Sequence, residues 1–227
     1  MITHLEKIKV KKIIKGSQVE IEKELIRTCE CTLLIDGRQH CTIRVIPRDL
    51  ELLGQGYSIL LGYKPEQVFI FKAEEDEIIV NTLTSGKYEH VYRKFSCEDI
   101  DSEIIVNLAK EAEYYKINNM ADTSVIYSID KRRVIGLIIE RCLDSMLYKI
   151  IGLVYRMKSM LDRLIIATTM NIDSTFITNL SILNVRYVIT TGSVTYDAVK
   201  MSEKLSQMLI GDVDTREESY TVYTCTS

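Results

Sequence analysis

Two turns near the end of the chain collect the residue types that bind anions. The first is Thr168-Thr169-Met170-Asn171 and the second Thr190-Thr191-Gly192-Ser193, and each joins an apolar strand pattern to an amphipathic helix pattern. Leu164-Ile165-Ile166-Ala167 precedes the first turn, and Asp173 caps a predicted helix carrying Phe176, Ile177, Leu180 and Leu183. Residues 185–189 precede the second, with Thr195 or Asp197 as the cap and Met201, Leu205, Met208 and Leu209 as the apolar stripe. Consecutive parallel strands with right-handed crossovers place both turns at one edge of a sheet. Helix N-termini there offer N–H groups and the hydroxyls add donors, so the predicted chemistry is recognition of a phosphate-bearing ligand. The same hydroxyls equally suit plain caps and turn residues.

The six cysteines, Cys29, Cys31, Cys41, Cys97, Cys142 and Cys225, show no Cys-x-x-Cys spacing and are joined by only three histidines, so no metal site is expected and zinc least of all. Cys29 and Cys31 share one face of a strand and Cys41 lies across a hairpin, which predicts structural burial. Cys142 falls in a helix pattern. His4, His40 and His90 have no Ser or Cys partner in view, which argues against a hydrolase triad.

The elements that must position these groups follow from patterning. With 227 residues, 46% of them hydrophobic, the chain can bury a sizeable core in one large domain or two small ones. A formal charge of -3 argues against broad nucleic-acid binding. Lys7, Lys9, Lys11, Lys12 and Lys15 alternate with Ile8, Val10 and Ile13 and read as the solvated face of an edge strand. Residues 1–16 intersperse lysine with apolar residues, unlike a signal peptide, and no apolar run reaches the ~20 residues of a membrane helix. A cytoplasmic protein that does not engage membranes is expected.

Residues 1–98 read as a β-rich domain. Asp36-Gly37 marks a turn, and residues 68–72, 77–83 and 88–95 are further strands. One helix interrupts, opening at Asp49 with Leu50, Leu53, Tyr57, Leu60 and Leu61 on one face, although Gly54 and Gly56 each weaken it by about 1 kcal/mol relative to alanine. Glu98, Asp99, Asp101 and Glu103 then crowd the start of a helix ending about Tyr115. Residues 99–227 read as an α/β domain: strands at 125–129 and 134–138, a helix from about 140 to 157, the two strand–turn–helix units, and short strands over 218–224. The fold class is α+β.

Four blocks in this order resemble the formate dehydrogenase accessory sulfurtransferase family. They are Ile35-Asp36-Gly37 through Ile46-Pro47-Arg48-Asp49-Leu50 to Leu61-Gly62-Tyr63; Leu147-Tyr148-Lys149-Ile150-Ile151-Gly152; Thr191-Gly192-Ser193-Val194-Thr195; and Leu209-Ile210-Gly211 to Thr221-Val222-Tyr223-Thr224. The resemblance implies a β-rich N-terminal roll beside an α/β sandwich of the cytidine deaminase-like fold. It further implies a sulfur carrier that serves formate dehydrogenase maturation, takes sulfur from a cysteine desulfurase, binds a molybdenum cofactor of the molybdopterin guanine dinucleotide type, meets apo-formate dehydrogenase and forms a homodimer. A deaminase is not expected, because the H-x-E and P-C-x-x-C zinc signature is absent.

The departures fall on the chemistry. Cys97, in Arg93-Lys94-Phe95-Ser96-Cys97-Glu98-Asp99-Ile100, aligns with the first cysteine of the family's Cys-x-x-Cys loop, and Ile100 takes the place of the second. Arg93 and Lys94 favour a thiolate there, whereas Glu98 and Asp99 oppose one. Leu143 and Met170 stand where the family has arginines, removing charge-assisted bonds of roughly 1.5–3 kcal/mol each. The cofactor-binding set left by the resemblance is Thr168, Thr169, Thr191, Gly192, Ser193, Thr195, Lys149 and Arg141. Three readings stay open: a carrier acting through Cys97, a catalytically degenerate scaffold that binds cofactor or nucleotide, and a protein for another small phosphate ligand.

Overall fold

The period-two pattern of the first residues folds into an arm. Strands β1 (Leu5–Ile14) and β2 (Ser17–Ile26) pair antiparallel as a two-stranded sheet of their own, in a computed structural model that describes residues 5–15, 17–73, 76–89, 100–116 and 121–224. The lysines stand in register with glutamates, Lys7 opposite Glu24, Lys9 opposite Glu22 and Lys11 opposite Glu20. Cross-strand pairs of opposite charge support such a ladder.

A four-stranded sheet follows, in the order β4-β3-β6-β5, from β3 (Cys29–Ile35), β4 (Arg38–Val45), β5 (Tyr63–Lys72) and β6 (Glu77–Lys87). The β3–β4 turn places Asp36 at φ 49° and Gly37 at φ 78°, the left-handed conformation a two-residue hairpin loop needs. The Asp36 carboxylate then accepts from the Thr84 N–H at 2.9 Å and the Thr84 hydroxyl at 2.7 Å, tying the turn to β6. Helix α1 (Leu50–Leu60) covers one face of this sheet, with Leu50, Leu53 and Tyr57 on Cys31, Leu33, Val45 and Val80. The expected strand over 88–95 falls mostly outside the described residues, as does the expected domain boundary at 98.

The second half builds a six-stranded sheet in the order β12-β11-β10-β9-β7-β8. Its strands are β7 (Asp122–Ser128), β8 (Arg133–Glu140), β9 (Leu164–Thr168), β10 (Val185–Thr190), β11 (Met208–Asp214) and β12 (Ser219–Val222). β9 and β10 run parallel, as the two repeated units predict, and β11 adds a third parallel strand, while β7 is antiparallel to β8 and β9, and β12 to β11. Helices α3 (Leu143–Arg156), α4 (Ser174–Leu180) and α5 (Tyr196–Leu205) pack into the core on one face through Ile150, Phe176 and Ala198. Helix α2 (Ser102–Tyr115) lays Ile105, Leu108 and Ala112 on the other, against Val125, Ile165 and Ile189. The class is α+β, as the patterning indicates.

Among the boundaries that differ from the sequence reading, two bear on the candidate site. Helix α3 begins at Leu143 rather than near 140, because Glu140 still pairs with Asp122 across the β7–β8 ladder and Cys142 has the extended backbone of an N-cap, φ -105° and ψ 135°. Met208 and Leu209 belong to β11, not to the helix stripe, because Ser206 turns left-handed at φ 56° and ends α5, letting Met208 pair with Tyr187.

Candidate functional site

Thr168, Thr169, Thr191, Gly192, Ser193 and Thr195 meet at the edge of the sheet where β9 and β10 end, because the two strands are parallel neighbours in register. There the hydroxyls serve the protein first. The Thr168 hydroxyl donates to the Thr123 carbonyl at 2.9 Å and accepts from the Ser124 hydroxyl at 2.8 Å and the Met170 N–H at 3.2 Å. Thr169 donates to Asp122 at 2.8 Å and accepts from the Thr123 N–H at 3.1 Å, and Lys116 pairs with the same carboxylate at 3.2 Å. Thr195 caps α5 by accepting from the Ala198 N–H at 3.2 Å.

The two turns are also laced to each other. The Thr190 hydroxyl donates to the Met170 carbonyl at 2.6 Å and accepts from the Gly192 N–H at 2.8 Å, while Asn171 accepts from the Ser193 N–H at 2.9 Å. Ile172 and Val194 form a parallel bridge, and a Cβ at Gly192 would collide with the Met170 carbonyl. Most turn N–H groups are thereby used inside the protein. The Thr191 and Ser193 hydroxyls remain outside this lacing, with Ser193 exposed. Arg141 is exposed beside the start of α3, whose N-cap Cys142 makes no side-chain cap bond. Asp122, Asp173 and Asp197 lie along the same edge and set negative charge against Arg141 and Lys116.

Lys149 is held inside the protein. It is only 1% exposed, its ammonium pairs with the wholly buried Glu140 carboxylate, and it donates to the Ile46 carbonyl at 3.1 Å. Glu140 accepts in turn from the Ile46 N–H at 3.2 Å and the Arg141 N–H at 3.1 Å. Glu140 and Lys149 so join β8 and α3 to the segment that links β4 to α1, a structural role rather than contact with an anion at the turns.

Cys97 lies outside the described residues. Burial pushes the Cys31 thiol up to about 12 and the Cys29 thiol upward as well, which keeps both in the protonated, unreactive form. Cys41 is half-buried beside Tyr57, whose ring lies 5.2 Å from that of Tyr148 at a tilt of 58°. Burial first, and then Asp144, Cys41 and Cys142, push the Tyr148 phenol up to about 12. The sequence reading placed Thr190 and Asn171 in the two turns but not in the binding set, and it gave Ser124 and Glu140 no part in the site. Thr190 carries a signal, since it occupies the turn position equivalent to Thr168; Asn171 acts once the β9–β10 pairing sets its turn against Ser193, and Ser124 and Glu140 are visible only once β7 pairs with β9 and β8.

The fold matches that of a protein described as a formate dehydrogenase accessory protein from Desulfotalea psychrophila. The match covers 98% of each chain with a TM-score of 0.78 at 13% identity. At that identity the likeness shows a shared fold. No family model and no curated protein matches the sequence. Among the described residues no helix is long and apolar enough to cross a membrane.

Proposed function

We propose that this chain is an accessory protein of formate dehydrogenase maturation that carries sulfur on Cys97. The observation that carries the reading is the fold match over 98% of both chains, and the four sequence blocks support it independently. In this reading the α/β half belongs to the cytidine deaminase-like fold, and the chain works in the cytoplasm as a homodimer that meets a cysteine desulfurase and apo-formate dehydrogenase. Loading is a sulfur exchange: the Cys97 thiolate attacks the outer sulfur of the desulfurase persulfide, the donor's S–S bond breaks, and the donor cysteine leaves as thiolate, so no external oxidant is needed. The recipient implied by the resemblance is the molybdenum cofactor.

A molybdopterin guanine dinucleotide carries two phosphates, and the sheet edge fits it poorly. The N–H groups of Met170, Gly192 and Ser193 are bonded to Thr168, Thr190 and Asn171, Lys149 is closed in its ion pair, and three aspartates share the edge. These observations favour a second reading, a degenerate paralogue that keeps the fold as a binding scaffold for the same machinery. Mass spectrometry of the intact chain after incubation with a cysteine desulfurase and cysteine separates the two. A reductant-labile gain of one sulfur on the parent, missing from Cys97→Ser, supports the carrier; no gain, with the desulfurase active on a known acceptor, leaves the scaffold.

A further inference from the structure

Two apolar faces of this chain have no cover among the described residues. One belongs to the arm. Its faces are unlike: Lys7, Lys9 and Lys11 with their glutamate partners dominate one, which also carries Ile13, whereas Ile8, Val10 and Ile14 stand with Val19, Ile21 and Leu25 on the other, where Ile8 is 39%, Ile14 47% and Val19 46% exposed. The second belongs to the four-stranded sheet. Opposite α1 it presents Phe69 and Phe71, stacked at 6.3 Å, with Leu34, Ile79 and Leu83 from the adjoining strands; Phe71 is 52% exposed.

A two-stranded ribbon is marginally stable alone in water, so the arm needs something to lie on. It cannot fold back onto its own sheet. Only Arg27 and Thr28 separate β2 from β3, and Arg27 clamps the arm's base by pairing with Glu6 and Asp76, each at 3.0 Å. Charge decides what the arm meets. Its apolar face carries Lys12 and Lys23 with Glu6, whose charge Arg27 already meets, so two arms packed face to face would set lysines against lysines; the uncovered sheet face carries Glu30, which pairs with Arg44 at 3.5 Å, and Glu77, which leaves it net negative.

We propose that the β1–β2 arm is an exchange arm: its apolar face docks on the uncovered sheet face of a second copy of this chain, and that copy's arm returns the contact. Reciprocal exchange closes as a two-fold dimer and leaves no open surface for further addition. Ten residues at ~3.3 Å each give a face ~33 Å long and ~10 Å wide, and the four faces covered in one exchange amount to ~1,300 Å², above the ~1,000 Å² expected of a specific interface. This deepens the homodimer of the proposed function and is independent of sulfur carriage.

The test is the solution mass of the full chain by light scattering during size exclusion, for the parent, Val10→Asp on the arm and Phe71→Asp on the sheet, with thermal melting to show that each variant is folded. The expected result is a dimer for the parent and the 26.1 kDa monomer for each variant. Mixing the two variants should restore a dimer, because the Phe71→Asp chain keeps a good arm and the Val10→Asp chain a good sheet. A monomeric parent would overturn both the exchange and the homodimer. A Phe71→Asp variant that stays dimeric, or a mixture that stays monomeric, would overturn the exchange alone. Sulfur loading, read separately by mass, is unaffected by any of these outcomes.

Discussion

Gly56 on α1 and Gly152 on α3 face each other across the helix crossing, each against the other helix's main chain: a Cβ at Gly56 would overlap the Tyr148 carbonyl oxygen, and one at Gly152 that of Leu52. Alanine at Gly56 gains about 1 kcal/mol of helix propensity in the isolated segment. At this crossing the gain is outweighed, since the added methyl meets main chain rather than a side chain that can swing away. Overpacking of this kind costs typically ~1–3 kcal/mol and more where the backbone must move. Gly56→Ala and Gly152→Ala should therefore each lower the denaturant midpoint, measured by circular dichroism. An unchanged or raised midpoint would contradict the crossing.

The Glu140–Lys149 pair yields a sharper expectation. Lys149→Met leaves a buried carboxylate with only the N–H groups of Ile46 and Arg141, and loss of one partner of a buried pair costs about 3–5 kcal/mol. Glu140→Gln with Lys149→Met removes both charges and should recover much of that loss in denaturant titrations. Were Lys149 a ligand cation at the turns, the single variant would instead weaken anion binding and leave stability unchanged.

Stability should also fall on the alkaline side. The Cys31 thiol is raised from 9.0 to about 12 and the Tyr148 phenol from 10.0 to about 12, both chiefly by burial. Groups raised on folding contribute stability that is full below their unfolded values and is lost as pH climbs toward the folded ones. The melting temperature should thus hold up to about pH 9 and decline between about 9 and 12. Cys31→Ala should flatten part of that decline even where it lowers the neutral-pH value, and an equally steep decline in the variant would remove Cys31 as its source.

How much of this was legible in the sequence depends on the range of the interactions. The Asp36-Gly37 turn, the Asp173 and Thr195 caps and the parallel β9–β10 pair rest on contacts within a few residues or on repeated patterning, and all were readable. Gly54 and Gly56 read as weaknesses, because the value of a missing side chain appears only when Val80, Thr82 and Tyr148 come against it. Lys149 read as a free cation since nothing in the linear order links it to Glu140 and residue 46. The turn hydroxyls were placed correctly, but whether they face a ligand or the protein depends on Thr123, Ser124 and Asn171, which chain pairing brings in from elsewhere.

That distinction sets the ligand expectation. A turn whose N–H groups already have oxygen partners must give up those bonds to hold a phosphate, so each new contact is offset by one lost. The groups outside the lacing, the Thr191 and Ser193 hydroxyls with Arg141, amount to one weak anion contact flanked by Asp122, Asp173 and Asp197. Isothermal titration should accordingly find guanine nucleotides binding no more tightly than inorganic phosphate, with both weakened by Arg141→Ala. Preferential binding of a guanine nucleotide would mean that the Thr190–Met170 and Asn171–Ser193 bonds open for the ligand. In that case Thr190→Val, which deletes the Thr190–Met170 bond in advance and frees the Gly192 N–H, should bind the nucleotide more tightly than the parent while melting at a lower temperature.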